Sequence, residues 1–286
     1  ATMTIIPQNI TGWEDNNIVH NAELFNPLTT YGVGDFARVD KYVYRSTLAN
    51  NIGNNPLTSL GLYWIEWQPA NDYAMLDLDS DKTITSWTGD GWVKFRRGAA
   101  TALGIGFFKA NIVKIEYLDN DNTVLNTETY EFTSNTGVWD VWTYGYGGFN
   151  TSINEVIFLP LRIIGSYIKV SFINTLGGST YCGFFIAGVA EEFGATIDGV
   201  RYTDKLVSNR SLKIASFSSY FPKTEMNRKY TTAQKYKDDY ALVVIDDSTD
   251  SKFNFLTVLG KITKIEPTFE YTELNQISWE VEQTAY

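Results

Sequence analysis

At 286 residues, with 44% hydrophobic and 15% aromatic content, the chain has material for two or three packed units and is far from the composition of a disordered polymer. Its formal net charge of -10, from 33 acidic and 23 basic residues with no Lys/Arg cluster, argues against a nucleic-acid partner and against docking on an anionic membrane. A single cysteine, Cys182, excludes an intrachain disulfide, and a single histidine, His20, excludes a multi-histidine metal site.

The N-terminal ATMTIIPQNITGW lacks the basic start and sustained apolar core of a secretory signal. Residues 1–27 are rich in Asn and Thr and contain Pro7 and Pro27, which predicts an extended arm or a strand lent to a neighbouring subunit. Residues 28–69 predict a small β module. In it Phe36, Arg38, Asp40 and Tyr42 alternate with Ala37, Val39, Lys41 and Val43, and Gly53, Asn54, Asn55 and Pro56 punctuate the strands. Residues 70–200 predict a jelly-roll-like β-sandwich, with strands at Trp92–Phe95, Ile112–Leu118, Thr127–Phe132, Glu155–Leu161, Tyr167–Ile173 and Gly183–Ala187. Turn clusters separate them at Asp119–Asn122 and Gly145–Gly148, the first joining a hairpin of 112–118 with 123–132. The most apolar window, Val156–Ile164, is broken by Pro160 and Arg162 and falls short of the roughly 18 residues a membrane helix needs. Residues 201–286 predict a further β-rich region with strands at Ser211–Phe217, Tyr240–Asp246, Phe253–Ile265 and Ile277–Glu282, and one helix at Thr231–Asp239 capped by its Thr. The fold class is therefore mostly β.

No constellation for catalysis emerges. Asp77, Asp79 and Asp81 offer alternating oxygen ligands, but Lys82 stands where a calcium loop needs Gly and Thr88 where it needs a bidentate Glu. His20 has no nucleophile elbow to serve, and Cys182 in TYCGFF reads as a small buried hydrophobe. Asp140 between Trp139 and Trp142, and the pair Glu191–Glu192, are the carboxylates that a glycan hydrolase could use. No cofactor motif is present. The aromatic residues Tyr31, Tyr44, Trp64 and Trp67 carry two readings, as rings that stack on sugar faces or as the miniature core of a unit of about forty residues, in which at least two must exclude water.

Tyr31, Gly34-Asp35, the strand Val39 to Tyr44, Asn55-Pro56 and Trp64 follow one another in an order that resembles the small carbohydrate-binding modules of chitinases. The likeness departs where Val43-Tyr44-Arg45-Ser46 runs into Asn-rich residues, a feature of the copies embedded in phage virion proteins. The next stretch, Trp64-Ile65-Glu66-Trp67 to Asn71-Asp72-Tyr73-Ala74-Met75-Leu76-Asp77, resembles the W…N-R-Y-A-M-F-D motif of phage tail proteins, with Asp72 and Leu76 replacing Arg and Phe. Val138 to Tyr144, Cys182 to Gly188, Phe193 to Thr196 and Asp204 to Ser216 are similar to successive blocks of the same proteins, in the same order. The resemblance implies a non-enzymatic structural component of a bacteriophage tail, in the baseplate, tip or fibre-attachment region, assembled in the host cytoplasm. Its implied partners are other copies of itself and other tail proteins, with the front module either contacting a host-surface glycan, through Tyr31, Tyr44, Trp64 and Trp67, or merely mediating assembly. The alternative is a free carbohydrate-binding protein or glycan hydrolase.

Overall fold

The computed structural model describes residues 2–78, 84–132, 153–196, 199–207, 210–245, 257–269 and 274–283. The chain opens with β1 (Thr2–Pro7) and the two-residue β2 (Asp15–Asn16), then forms a small sheet from β3 (Phe36–Val39), β4 (Tyr42–Ser46) and β5 (Trp64–Pro69). After a single 3-10 turn, Ala74–Leu76, come β6 (Thr85–Trp87), β7 (Gly91–Arg96), β8 (Ala102–Phe108), β9 (Ile112–Leu118), β10 (Val124–Glu131), β11 (Ile153–Pro160), β12 (Tyr167–Ile173), β13 (Thr180–Cys182) and β14 (Phe184–Gly188). The last part holds β15 (Glu191–Ala195), β16 (Arg201–Val207), β17 (Arg210–Pro222), the helix α1 (Met226–Gln234), β18 (Tyr240–Val244), β19 (Thr257–Thr268) and β20 (Leu274–Gln283). The protein is mostly β, as its aromatic and β-branched residues predict.

The sandwich pairs a five-stranded sheet, β10-β9-β12-β7-β2, with the three-stranded sheet β11-β8-β14. Alternation explains the first: Val113, Ile115 and Tyr117 of β9 point into the core while Lys114 and Glu116 face out. The predicted hairpin forms, with Val124 to Glu131 paired against Leu118 to Ile112 and Asn122 at φ 66° in its turn.

Strands β8 and β14 read as continuous apolar runs because they are buried on both faces. Leu103, Ile105, Phe185 and Ala187 enter the sandwich core, whereas Ala102, Phe184 and Ile186 pack against Ile6, Leu242 and Leu259 of the last layer. The contact is close enough that a Cβ on Gly104 would lie 2.2 Å from Leu242 Cδ2.

That last layer is a barrel. Its seven-stranded sheet runs β15-β1-β18-β19-β20-β17-β16, and a bridge between Ala195 and Tyr220 joins β15 to β17, closing every strand except β16 into a ring. Met3, Ile5, Phe193, Val243, Ile262 and Trp279 fill it.

Two expectations are corrected here. Residues 2–27 are not an arm. β1 sits between β15 and β18 in its own chain, with Met3 and Ile5 in the barrel core and Ile6 against the middle sheet, while Ile10, Trp13 and Ile18 pack into the sandwich. Lending β1 to a neighbour would strip three fully buried side chains, at about 1.5–3 kcal/mol each. The barrel accordingly draws strands from both ends of the chain rather than from 201–286 alone. The helix starts at Met226 rather than Thr231, because Met226 and Ala233, two turns apart, are the residues it buries in the barrel. The predicted start of β19 at Phe253, the block from Val138 to Tyr144 and the Gly145–Gly148 turn lie outside the described residues.

Candidate functional site

The small sheet brings the four predicted aromatic residues together, but on two sides. Tyr31, Tyr44 and Trp64 form its core with Ala37 and Phe25, at 7%, 4% and 0% exposure. Trp64 meets Tyr31 edge-on at 5.0 Å between centroids, and its indole Nε1 donates to the Asn54 carbonyl oxygen at 2.8 Å. Phe25 stacks on Tyr31 and meets Trp64 edge-on, and all three predicted residues are buried in this cluster, so they hold the module together and offer no surface for stacking. Trp67 is half exposed.

Strand parity explains the split. Trp64 and Trp67 are three residues apart, and successive side chains on a strand alternate faces, so both cannot look the same way. The register sets Phe36 opposite Arg45 and Arg45 opposite Ile65, placing these on the outer face, and an irregularity between Val43 and Tyr44 leaves Trp67 as an extra residue on that side. The Phe36 ring lies 5.7 Å from that of Trp67, and the Arg45 guanidinium carbon 5.2 Å from the Trp67 ring centroid. Arg45 has no ion-pair partner among the described residues. Gly34, at φ 92°, turns the chain beside that guanidinium, and Asp35 locks the turn by accepting the Gly32 N–H at 2.7 Å. The resulting surface, two tilted rings, an aliphatic Ile65 and a free cation, can stack on the apolar face of a sugar ring and donate to its oxygens. Phe36 and Arg45 were missed in the sequence because neither belongs to the aromatic spacing that marked the others; the cross-strand register was the signal.

The motif after Trp67 has a different task. Asn71, 8% exposed, donates to the carbonyls of Val19 and Ser86 and accepts the Ser86 N–H, while its own carbonyl accepts the Thr85 hydroxyl, which in turn accepts the Met75 N–H. Arg38 reaches Asp72 at 3.7 Å, Lys41 lies over the Tyr73 ring, and the Tyr42 hydroxyl donates to Asp77 at 3.4 Å. Burial, followed by the Asp77 carboxylate, pushes the Tyr42 phenol up to about 12. The block from Asn71 to Asp77 is thus the joint that fixes the module on the sandwich.

Other candidates do not converge. Asp77 faces Tyr42, while Asp79, Asp81 and Lys82 lie outside the described residues, as do Trp139, Asp140 and Trp142; among the described residues no group of three His, Cys, Asp or Glu side chains is placed to hold a metal. His20 stands 3.9 Å from Asp72 without a nucleophile beside it. Cys182 is fully buried, and desolvation pushes its thiol far up, opposite to what an activated thiolate requires. Glu191 and Glu192 are adjacent on β15 and so point to opposite faces. A cavity of about 270 Å³ on the barrel is lined by Arg201, Ser216, Ser218, Lys264, Ser278 and Glu280, but Lys264 is engaged by Glu266 at 3.1 Å and Glu280 at 3.6 Å. Among the described residues no helix is long and apolar enough to cross a membrane. No protein-family model matches the chain, and no curated protein matches it.

Proposed function

We propose that this chain is a non-enzymatic structural subunit of a bacteriophage tail, holding a small glycan-contacting module on a rigid β body. One observation carries the reading: the residues that resemble the tail-protein motif are the joint. Asp72, Tyr73 and Asp77 reach Arg38, Lys41 and Tyr42 of the module, while Asn71 and Met75 of the same block bond or pack into the sandwich, so a protein sharing that motif shares the reason for having it, a module held in one orientation. The face formed by Phe36, Arg45, Ile65 and Trp67 supports glycan contact as the module's task, because aromatic rings beside a guanidinium that has no ion-pair partner among the described residues are suited to a sugar's alternating apolar and hydroxyl surface.

Antibody raised against the chain tests the first part by immunoelectron microscopy of tailed particles from the source. Decoration of the tail is the expected result; antigen found only in particle-free fractions overturns it. For the second part, Trp67→Ala is expected to weaken retention on host cell-wall glycan about tenfold with the melting temperature unchanged. Equal retention of variant and parent rejects this face as the contact.

A further inference from the structure

The loop between β4 and β5 is built inside out. From Ser46 to Ile65 the sequence carries no Asp, Glu, Lys, Arg or His, although at 20% charged content about four charges are expected in such a stretch. The loop is closed at its base, where the Thr47 N–H donates to the Tyr63 carbonyl at 3.0 Å and the Thr47 hydroxyl to the Leu62 carbonyl at 3.0 Å. One of its amides is buried. Asn51, 1% exposed, exchanges backbone bonds with Tyr31 and donates through its side chain to Ser46 Oγ and the Tyr63 carbonyl, while its Oδ1 accepts from Asn54. Asn55 caps the next turn, its Oδ1 accepting the Leu57 N–H and its carbonyl accepting the Ser59 hydroxyl. Beside the uncharged Asn50, Asn55 and Thr58, what faces solvent is Leu48, Ile52, Leu57, Leu60 and Leu62, each 44–64% exposed.

Such a surface is fixed before it binds, since the bonds that shape it are already made and little ordering remains to oppose association. It is apolar and uncharged in a chain of net charge -10. Two copies of so acidic a chain repel wherever their charged faces approach within the Debye length of roughly 8 Å at physiological salt, and this loop is where they can meet without bringing like charges together. A contact about a two-fold axis requires a patch to complement itself, which an aliphatic surface does with no pairing of charges.

We infer that the loop 47–63 is a self-association surface, and that its occupant is the same loop of a second copy. The inference rests on reading the chain as an assembly subunit and names the surface that assembles it. Light scattering across a concentration series tests it with the full chain. The parent is expected to associate, Leu57→Asp with Leu60→Asp to weaken association at least a hundredfold at unchanged melting temperature, and Leu57→Ser with Leu60→Ser to weaken it by a smaller factor. Ile164→Asp with Leu176→Asp, which places the same charges at exposed apolar positions of the sandwich, is expected to leave association intact. A parent that stays monomeric throughout overturns self-association while leaving antibody decoration of tails to judge the tail reading. Association that survives both loop variants overturns the choice of surface but not the assembly.

Discussion

Trp64 and Trp67 show how little a residue's identity says about its role. The same indole is a keystone at one position and a half-exposed ring three residues later, decided by which side of the strand it leaves. Trp64→Ala is expected to cost about 3–5 kcal/mol and to melt the module, read as loss of near-ultraviolet ellipticity, whereas Trp67→Ala leaves the transition in place. The buried tyrosines give a second handle. Tyr42 and Tyr117 are both pushed up to about 12, each chiefly by burial and then by a carboxylate, Asp77 and Glu128. A phenol whose pKa is raised in the folded state lends stability that is fully present below the unfolded value of 10.0 and is lost as pH climbs through 12. Chemical denaturation is therefore expected to give a flat stability from pH 7 to about 9.5 and a fall between about 10 and 12, a fall that Tyr42→Phe and Tyr117→Phe each reduce.

At the level of elements, alternation made β7, β9, β10 and β12 legible, because one face of each meets a core and the other meets water. Of the middle strands, β14 was predicted and β8 was not, and neither was legible as doubly covered, since Leu103 and Gly104 carry no mark of which neighbour each will meet. β1 was not legible at all. Nothing in TMTIIP says that its partners lie near residues 192 and 243, and the surrounding Asn, Thr and Pro are equally suited to an arm. In the candidate site, the size of the module required some of its four aromatic residues to be core but did not say which, and Phe36 and Arg45 required a register that no local pattern reveals. Ile5→Asp checks the placement of β1: buried in the barrel, it is expected to cost more than about 4 kcal/mol and yield a chain without a cooperative thermal transition, whereas in a free arm the melt would not move.

For the molecule as a whole, the layers are held at distances set by missing side chains. A Cβ on Gly104 would meet the tip of Leu242, which can yield, but one on Gly188 would lie 2.1 Å from the Pro7 carbonyl oxygen, which is backbone. Gly104→Ala is expected to cost about 1–3 kcal/mol and to be relieved only in part by Leu242→Ala, since Ile186 Cγ2 would also stand 2.8 Å from the new Cβ. Gly188→Ala is expected to cost more, with no side-chain substitution able to rescue it, as equilibrium unfolding of the single and double variants will read.

The pairing of Ile5 with Val243 also fixes an order of events at the ribosome. With synthesis running at roughly 5–20 residues per second, β1 leaves the exit tunnel and waits roughly 12–48 s for the strand that covers its far edge. Until β15 emerges the nascent chain carries an apolar strand with neither of its sheet neighbours made, while the sandwich strands behind it can already meet. Barrel closure therefore waits for β18, β19 and β20, which are made after every sandwich strand.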